Sequence, residues 1–126
     1  MALLGLGMDV CSVERMRKIL EGPRAARFLE RVYTPAERAV CDARADAASA
    51  YAARFAAKEA LVKALGAPPG LRWQDIEVAR VSGAPPTFTL SGVAAASVSR
   101  LKARAWLALT HDGGVAAATV VLEHAT

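Results

Sequence analysis

One segment of this chain concentrates charged residues at a spacing that could support phosphate chemistry. In a helix, Arg54 and Lys58 are four residues apart and share one stripe. Glu59 and Lys63 share the next stripe, about 100° around the helix. A Glu that precedes a Lys at this spacing is also typical of a surface ion pair, which contributes a few tenths of a kcal/mol. From this segment alone, the surface pair is the simpler interpretation.

Asp9 changes that interpretation, because it is an acid inside an apolar segment near the start of the chain. A buried carboxylate is costly without a partner or a cation. Asp9 and Glu59 could share Mg²⁺, which takes one or two carboxylates, waters and phosphate oxygens. Arg54, Lys58 and Lys63 would then offset the remaining phosphate charge. An acid pair flanked by basic residues is typical of phosphoryl-transfer sites.

His111 and the two cysteines are further candidates. His111 falls where a predicted strand meets its turn, so it could act as an acid or base or simply be solvated. Cys11 shares the strand face of Asp9 and could form a zinc site with His111, although the spacing matches no structural zinc pattern. Cys11 and Cys41 are too few for a disulfide framework, which indicates a reducing, cytoplasmic environment.

The segment that carries Asp9 is predicted to form a short buried strand over residues 3–10. Its two faces alternate between large apolar residues and small residues, namely Leu4, Leu6, Met8 and Val10 on one side and Gly5, Gly7, Asp9 and Cys11 on the other. The small side leaves room for a ligand or for another backbone.

Helices are predicted from their caps and apolar stripes. Ser12 caps a helix that begins at Val13, and a second helical segment covers 24–33. Thr34-Pro35-Ala36-Glu37 has the pattern of a capping box with Pro at the first helical position. The longest helix runs from about 48 to 65, where Gly66 and two prolines end it.

The remaining chain predicts strands at 75–81 and 87–90, a helix at 93–103, and strands at 105–110 and 115–122. Asp112-Gly113-Gly114 joins the last two strands as a hairpin. These strands are apolar on both faces, and a subunit interface could cover the second face. The prediction is an α+β fold, in which a small, mostly antiparallel sheet packs against one long and several short helices in a single domain, 1–126.

The amino-acid composition favours some classes of protein for this chain and disfavours others. The chain is 54% hydrophobic and 22% charged with a net charge of +4, as expected of a globular protein that could attract anionic partners. Aromatic residues make up 6% and are not interleaved with basic ones, which is unfavourable for nucleic-acid binding. No apolar run is long enough for a membrane span, and the N-terminus lacks the basic region of a signal peptide.

The order of these motifs resembles the holo-[acyl-carrier-protein] synthases, the short, trimeric branch of the 4′-phosphopantetheinyl transferase superfamily. Four segments carry the resemblance in family order: Gly5-Leu6-Gly7-Met8-Asp9, Thr34-Pro35-Ala36-Glu37, Arg54-Phe55-Ala56-Ala57-Lys58-Glu59-Ala60 with Lys63, and Thr110-His111.

The resemblance implies transfer of the 4′-phosphopantetheine arm of coenzyme A to a serine of apo acyl carrier protein, with release of adenosine 3′,5′-bisphosphate. Asp9 and Glu59 would bind Mg²⁺, and Glu59, His111 or a water would be the base. The coenzyme A site would include Arg54, Lys58, Lys63, Gly83, Pro85 and His111. The carrier protein would dock on Arg15, Arg27 and Phe28, and the active sites would lie between the subunits of a homotrimer.

Two departures from the family pattern bear on coenzyme A. Many relatives have Gly-Lys-Pro where this chain has Gly83-Ala84-Pro85, and Thr-Lys often follows the histidine where this chain has Asp112-Gly113. Both changes remove a basic side chain. A member that binds coenzyme A but transfers it weakly is therefore one alternative, and a basic nucleic-acid-binding module is the other.

Overall fold

The computed structural model describes residues 2–81 and 83–125 and shows an α+β fold. Its elements are, in chain order, β1 (Leu3–Ser12), α1 (Val13–Glu21), α2 (Ala25–Val32), α3 (Pro35–Asp42), α4 (Ala47–Ala64), a 3₁₀ turn (Trp73–Asp75), β2 (Ile76–Ala79), β3 (Thr87–Leu90), α5 (Gly92–Leu101), β4 (Ala103–Asp112) and β5 (Val115–His124). Met1, Ser82 and Thr126 lie outside the described residues, and so do the two ends of the predicted domain.

Two antiparallel sheets organise the chain. The larger has the strand order β1-β5-β4, and β2 pairs with β3 in the smaller. The predicted hairpin between β4 and β5 is confirmed, because Gly113 and Gly114 connect the two strands in positive-φ conformations. Helix α4 packs against β1 and β5. The predicted mixture of strands and helices is therefore correct, with two small sheets in place of one.

The predicted helix caps are confirmed. Ser12 accepts a hydrogen bond from the Arg15 backbone N–H at the start of α1. Thr34 and Glu37 form both hydrogen bonds of a capping box. Helix α4 begins one residue earlier than predicted, because Asp46 caps it through the Ser49 N–H.

The small face of β1 lies against α4. A Cβ on Gly7 would overlap the carbonyl oxygen of Ala60, and one on Gly5 would overlap that of Ala64. Of the two predicted uses of this room, the structure therefore shows the approach of another backbone. The close packing brings the end of β1, where Asp9 lies, beside the C-terminal half of α4.

The large apolar face of β1 is exposed in the isolated chain, so the predicted burial of this strand is not seen on that face in the chain alone. Leu6, Met8 and Val10 are 69%, 62% and 61% exposed. The exposed surface continues across β5 to Trp106 on β4, which is 52% exposed. This outer sheet face is one of the two apolar faces that the sequence predicted for β4 and β5.

Candidate active site

Asp9 and Glu59 line one small cavity, which we call the carboxylate cavity. It has a volume of about 230 Å³ and is lined by Asp9, Val10, Cys11, Arg15, Met16, Ile19, Phe28, Phe55 and Glu59. β1 supplies the aspartate and α4 supplies the glutamate, so the glycine-mediated packing of these elements brings the two acids together. The predicted carboxylate pair thus shares one site.

Lys63 contacts the acid on the neighbouring strand. Its Nζ atom donates to Asp9 Oδ1 at 2.8 Å and to the Met8 carbonyl oxygen at 3.1 Å. The hydrogen bond with Asp9 raises the pKa of Lys63. The lysine side chain is 52% exposed and the aspartate, which lines the cavity, is 18% exposed, so this ion pair can be reached from solvent. The partner of Lys63 is therefore Asp9 and not the Glu59 of a simple helix-surface pair.

The surroundings of Glu59 disfavour the negatively charged form of its carboxyl group. Burial raises its pKa, the charge of Asp9 raises it further, and Lys63 partly offsets the effect. Two carboxylates that repel each other in a small cavity suit a hard divalent cation, which would remove the repulsion. Among residues 2–81 and 83–125, no three His, Cys, Asp or Glu side chains gather as a metal site. The pair therefore fits a cation that also binds substrate oxygens and waters.

A second cavity of about 510 Å³, the basic cavity, lies between α4 and strands β2 and β4. Its lining consists of Arg44, Ala45, Asp46, Ser49, Ala50, Ala53, Arg54, Val78, Arg80, Leu109, Thr110 and His111. Arg54 is only 5% exposed, and its Nε atom is buried without a hydrogen-bond partner. Its Nη1 atom donates to the Ala50 carbonyl oxygen at 3.4 Å. A buried, incompletely bonded guanidinium facing a cavity is suited to an anion.

His111 lines the basic cavity, whereas Cys11 lines the carboxylate cavity. The alternative zinc site from these two side chains therefore finds no support. The same division separates Arg54 and His111 from Asp9 and Glu59. Within one chain, the predicted site residues thus form two groups.

Lys58, which was assigned to coenzyme A binding, is not among the residues that line the carboxylate cavity or the basic cavity. Its side chain is fully buried, and its Nζ atom donates to Glu37 Oε1 at 2.7 Å, Ile76 O at 2.5 Å and Trp73 O at 3.2 Å. An ammonium has three donors, and all three are used. Burial lowers the pKa of Lys58, while Glu37 opposes that shift. Lys58 is therefore unavailable to a phosphate.

Glu37 was predicted to cap α3, but its contact with Lys58 was not predicted. The sequence signal was the capping box, which fixes two local hydrogen bonds with Thr34 and says nothing of a partner 21 residues away. Arg44 and Arg80 of the basic cavity were also missed. They lie outside the recognisable motifs, and only the tertiary structure brings them beside Arg54.

The predicted docking residues Arg15, Arg27 and Phe28 line one groove of about 500 Å³, which we call the arginine groove. Its other lining residues are Lys18, Ile19, Gly22, Pro23, Arg24 and Arg31. Arg15, Ile19 and Phe28 line the carboxylate cavity as well. The arginine groove therefore adjoins the cavity that holds the two acids.

Gly83 and Pro85 lie in the connection between β2 and β3, where Gly83 adopts a φ of +81°. Neither residue is among those that line the carboxylate cavity or the basic cavity. Their assignment to coenzyme A binding stays a prediction.

Comparisons with known proteins agree over almost the whole chain. Residues 5–120 match the model of the 4′-phosphopantetheinyl transferase superfamily. The holo-[acyl-carrier-protein] synthase of Myxococcus xanthus is 66% identical over 123 residues, covering 98% of this chain and 97% of the relative. The enzyme of the same name from Anaeromyxobacter dehalogenans is 61% identical, covering 98% of each chain.

Solved structures give the same result. The coenzyme A complex of holo-[acyl-carrier-protein] synthase from Helicobacter pylori has a TM-score of 0.78 at 30% identity, covering 94% of this chain and 99% of that one. The ACPS–CoA complex of Chronobacterium ammoniagenes has a TM-score of 0.83 at 26% identity, with full coverage of both chains. The fold and the sequence thus coincide with one family: this chain belongs to the 4′-phosphopantetheinyl transferase superfamily, as an enzyme of the holo-[acyl-carrier-protein] synthase family.

Proposed function

We propose that this chain transfers the 4′-phosphopantetheine group from coenzyme A to a serine of apo acyl carrier protein, with Mg²⁺ as cofactor. Adenosine 3′,5′-bisphosphate is the leaving group. The observation that carries the proposal is the pairing of Asp9 and Glu59 in one small cavity beside Lys63. The names of the relatives and the coenzyme A in two solved relatives support the same reaction.

Asp9 and Glu59 would hold Mg²⁺, since hard oxygen donors and mutual repulsion favour a divalent cation. When bound, the ion supplies charge neutralisation and orientation for the pyrophosphate oxygens of coenzyme A. Lys63, already hydrogen-bonded to Asp9, is placed to contact a phosphate oxygen and to offset the charge of the leaving group.

In the proposed reaction, the serine oxygen forms a bond to the phosphorus that carries pantetheine, and the bond from that phosphorus to the bridging oxygen of the pyrophosphate breaks. The serine proton must pass to a base, because a serine hydroxyl is a weak nucleophile at neutral pH. Glu59, or a water held by Asp9 and Glu59, is the base we favour. His111, which lines the other cavity, is the second candidate.

The basic cavity is proposed to bind the anionic nucleotide end of coenzyme A. Arg54 has a buried Nε without a partner, and His111 lines the same wall. Arg44 and Arg80 add positive charge that the sequence motifs do not include. They could replace the basic side chains that this chain lacks at Ala84 and after His111. Gly83 and Pro85 would contribute the nearby turn.

We further propose a homotrimer with active sites between subunits. The carboxylate cavity and the basic cavity hold separate groups of site residues, so one chain alone leaves the site divided. The exposed sheet face of Leu6, Met8, Val10 and Trp106 provides an apolar surface for association. A neighbouring copy would then bring its basic cavity to the carboxylate cavity.

The acyl carrier protein is proposed to dock on the arginine groove. Five basic side chains surround apolar Ile19 and Phe28 there, namely Arg15, Lys18, Arg24, Arg27 and Arg31. This arrangement suits an acidic helix with an apolar anchor, and its charge would accelerate association. The free cysteines agree with a cytoplasmic location. Within the described residues, no helix is both long and apolar enough to cross a membrane.

The test is incubation with coenzyme A, Mg²⁺ and apo acyl carrier protein, with mass spectrometry of the carrier. We expect a gain of one phosphopantetheine on its serine and free adenosine 3′,5′-bisphosphate. Asp9→Asn and Glu59→Gln should each lower turnover by about a thousandfold, since metal coordination contributes several kcal/mol to such reactions. Near-normal turnover by either variant, or binding of coenzyme A by the wild-type protein without any transfer, would refute the proposal.

A further inference from the structure

The ion pair of Glu37 and Lys58 connects four elements at the centre of the chain. Glu37 Oε1 accepts hydrogen bonds from Lys58 Nζ at 2.7 Å and from Thr34 N at 3.0 Å, and its Oε2 accepts one from Val78 N at 2.9 Å. Lys58 in turn donates to the carbonyl oxygens of Trp73 and Ile76. The pair therefore joins α3 and α4 to the 3₁₀ turn and to β2.

A buried ion pair of this kind contributes little net stability, because removing both charges from water costs free energy. Lys58 is 0% exposed and Glu37 is 1% exposed, so both charges have lost their water. Buried ion pairs often stabilise a fold no better than apolar side chains of similar size. What the pair does provide is direction, because its hydrogen bonds to Ile76 O and Val78 N hold the β2 backbone at one position relative to α4.

That position determines one wall of the basic cavity. Val78, which donates to Glu37, lines the cavity, and so does Arg80 two residues further along the chain. The opposite wall is α4, where Arg54 lies one helical turn before Lys58. The distance between the two walls is thus set by the contacts of Glu37 and Lys58 with β2.

We propose that Glu37 and Lys58 act as positioning residues for coenzyme A binding, by fixing β2 against α4 so that Arg80 and Arg54 face the same anion. The proposal rests on the proposed function in that it takes coenzyme A as the ligand of the basic cavity. The acids of the carboxylate cavity lie on β1 and α4, and neither receives a hydrogen bond from the pair. Loss of the pair should therefore affect binding of coenzyme A more than the chemical step.

The experiment measures coenzyme A binding by isothermal titration calorimetry on the full chain, together with kcat at saturating coenzyme A. We expect Lys58→Met to weaken binding by about tenfold or more, because the loss of one hydrogen bond to a charged group has an effect of this size. kcat should stay within about threefold, as expected when an interaction made equally in the ground and transition states is removed. Glu37→Gln should also weaken the binding of coenzyme A. The double variant should bind coenzyme A about as tightly as Lys58→Met, because the two residues act as one pair and their effects are not additive.

Leu122→Ala is the control for stability. Leu122 is fully buried on β5, and its β4 partner Ala105 lies four residues before Leu109, the first β4 residue of the basic cavity, so its truncation lowers Tm without altering the cavity lining. We expect it to bind coenzyme A like the wild type. If Lys58→Met does not fold, Glu37→Gln decides the question, since glutamine keeps one oxygen acceptor.

Three results would overturn the inference: folded variants that bind coenzyme A like the wild type, a loss confined to kcat, or an equal loss of binding in Leu122→Ala. A wild-type protein that binds coenzyme A without transferring it would refute the proposed reaction instead. The calorimetric comparison would still test the role of the pair in that case.

Discussion

At the scale of single residues, the same side-chain types have different roles because their surroundings differ. Lys58 and Lys63 are five residues apart on one helix, yet the first is fully buried with all its donors used and the second is half exposed beside Asp9. Only Lys63 has a donor that a substrate can reach. Burial and partners, rather than residue type, decide which lysine of the motif can do chemistry.

Glu59 can be used to test whether the carboxylate pair destabilises the folded chain when no cation is bound. Because its pKa is raised in the folded chain, the folded state binds more protons than the unfolded state between the ordinary pKa of a glutamate and the raised value. The contribution of Glu59 to the free energy of unfolding is thus fully present below pH 4.5, and it is lost as the pH rises through the folded-state pKa of this residue. In metal-free protein at pH 7, we expect Glu59→Gln to be more stable than the wild type, by less than about 1 kcal/mol because the site is partly solvated.

Thermal unfolding at several pH values checks this expectation. The advantage of Glu59→Gln should disappear near pH 4, and added Mg²⁺ should raise the Tm of the wild type more than that of the variant. A variant that is less stable than the wild type at every pH would contradict the repulsion between Asp9 and Glu59. The result also matters for activity, since a stable but inactive variant separates chemistry from folding.

At the scale of elements, the contact between β1 and α4 brings the acids together. Gly5 and Gly7 allow this contact, because any side chain there would meet the α4 carbonyl oxygens. The sequence identified these glycines as room for a ligand or a backbone but could not choose between them. The choice depends on which element packs on β1, and that is a tertiary contact.

We expect Gly7→Ala to lower both stability and transfer. Its Cβ would overlap backbone that has no freedom to move, so β1 must shift away from α4 and Asp9 must shift with it. A loss of stability of about 1–3 kcal/mol is typical of such overpacking. The displacement of Asp9, a proposed Mg²⁺ ligand, should reduce transfer by about a hundredfold. Chemical denaturation and the carrier mass assay measure the two effects.

Gly70→Ala is the matched control for this substitution. Gly70 has a φ of +81° in the loop after α4, so alanine there is strained by about 1–2 kcal/mol but meets nothing closer than a Val93 methyl group at 3.6 Å. It should lose stability and keep transfer. If Gly7→Ala keeps full transfer, the packing of β1 does not position Asp9.

Most elements were predictable because their signals are local. The caps at Ser12 and Thr34, the end of α4 and the Gly113-Gly114 hairpin each depend on a few neighbouring residues, and all were confirmed. The division of the site residues was not predictable, because Lys58 lies in the same motif as Glu59 and only its burial separates their roles. The burial of β1 was overestimated for a related reason: apolar alternation shows which residues share a face, not which face the chain itself covers.

At the scale of the whole molecule, two observations concern association. The outer sheet face carries Leu6, Met8, Val10 and Trp106 in an exposed patch, and apolar patches of this kind are typical of interfaces. The carboxylate cavity and the basic cavity hold separate groups of site residues on one chain. A head-to-tail ring of copies would explain both, since each interface would cover the patch and join two different cavities.

A mixing experiment tests that arrangement directly. Asp9→Asn damages the carboxylate cavity and Arg54→Met damages the basic cavity, so each variant alone should be nearly inactive. If every active site takes one cavity from each of two copies, rings reassembled from equal amounts of both variants contain some interfaces with two intact cavities. Random assembly gives about one quarter of the interfaces this composition, so transfer should return to about one quarter of the wild-type rate.

If both cavities serve the same chain, every site in the mixture keeps one lesion and no activity returns. Refolding the two variants together, with each refolded separately as the baseline, therefore distinguishes a shared site from an independent one, because only a shared site can recover activity from two damaged chains.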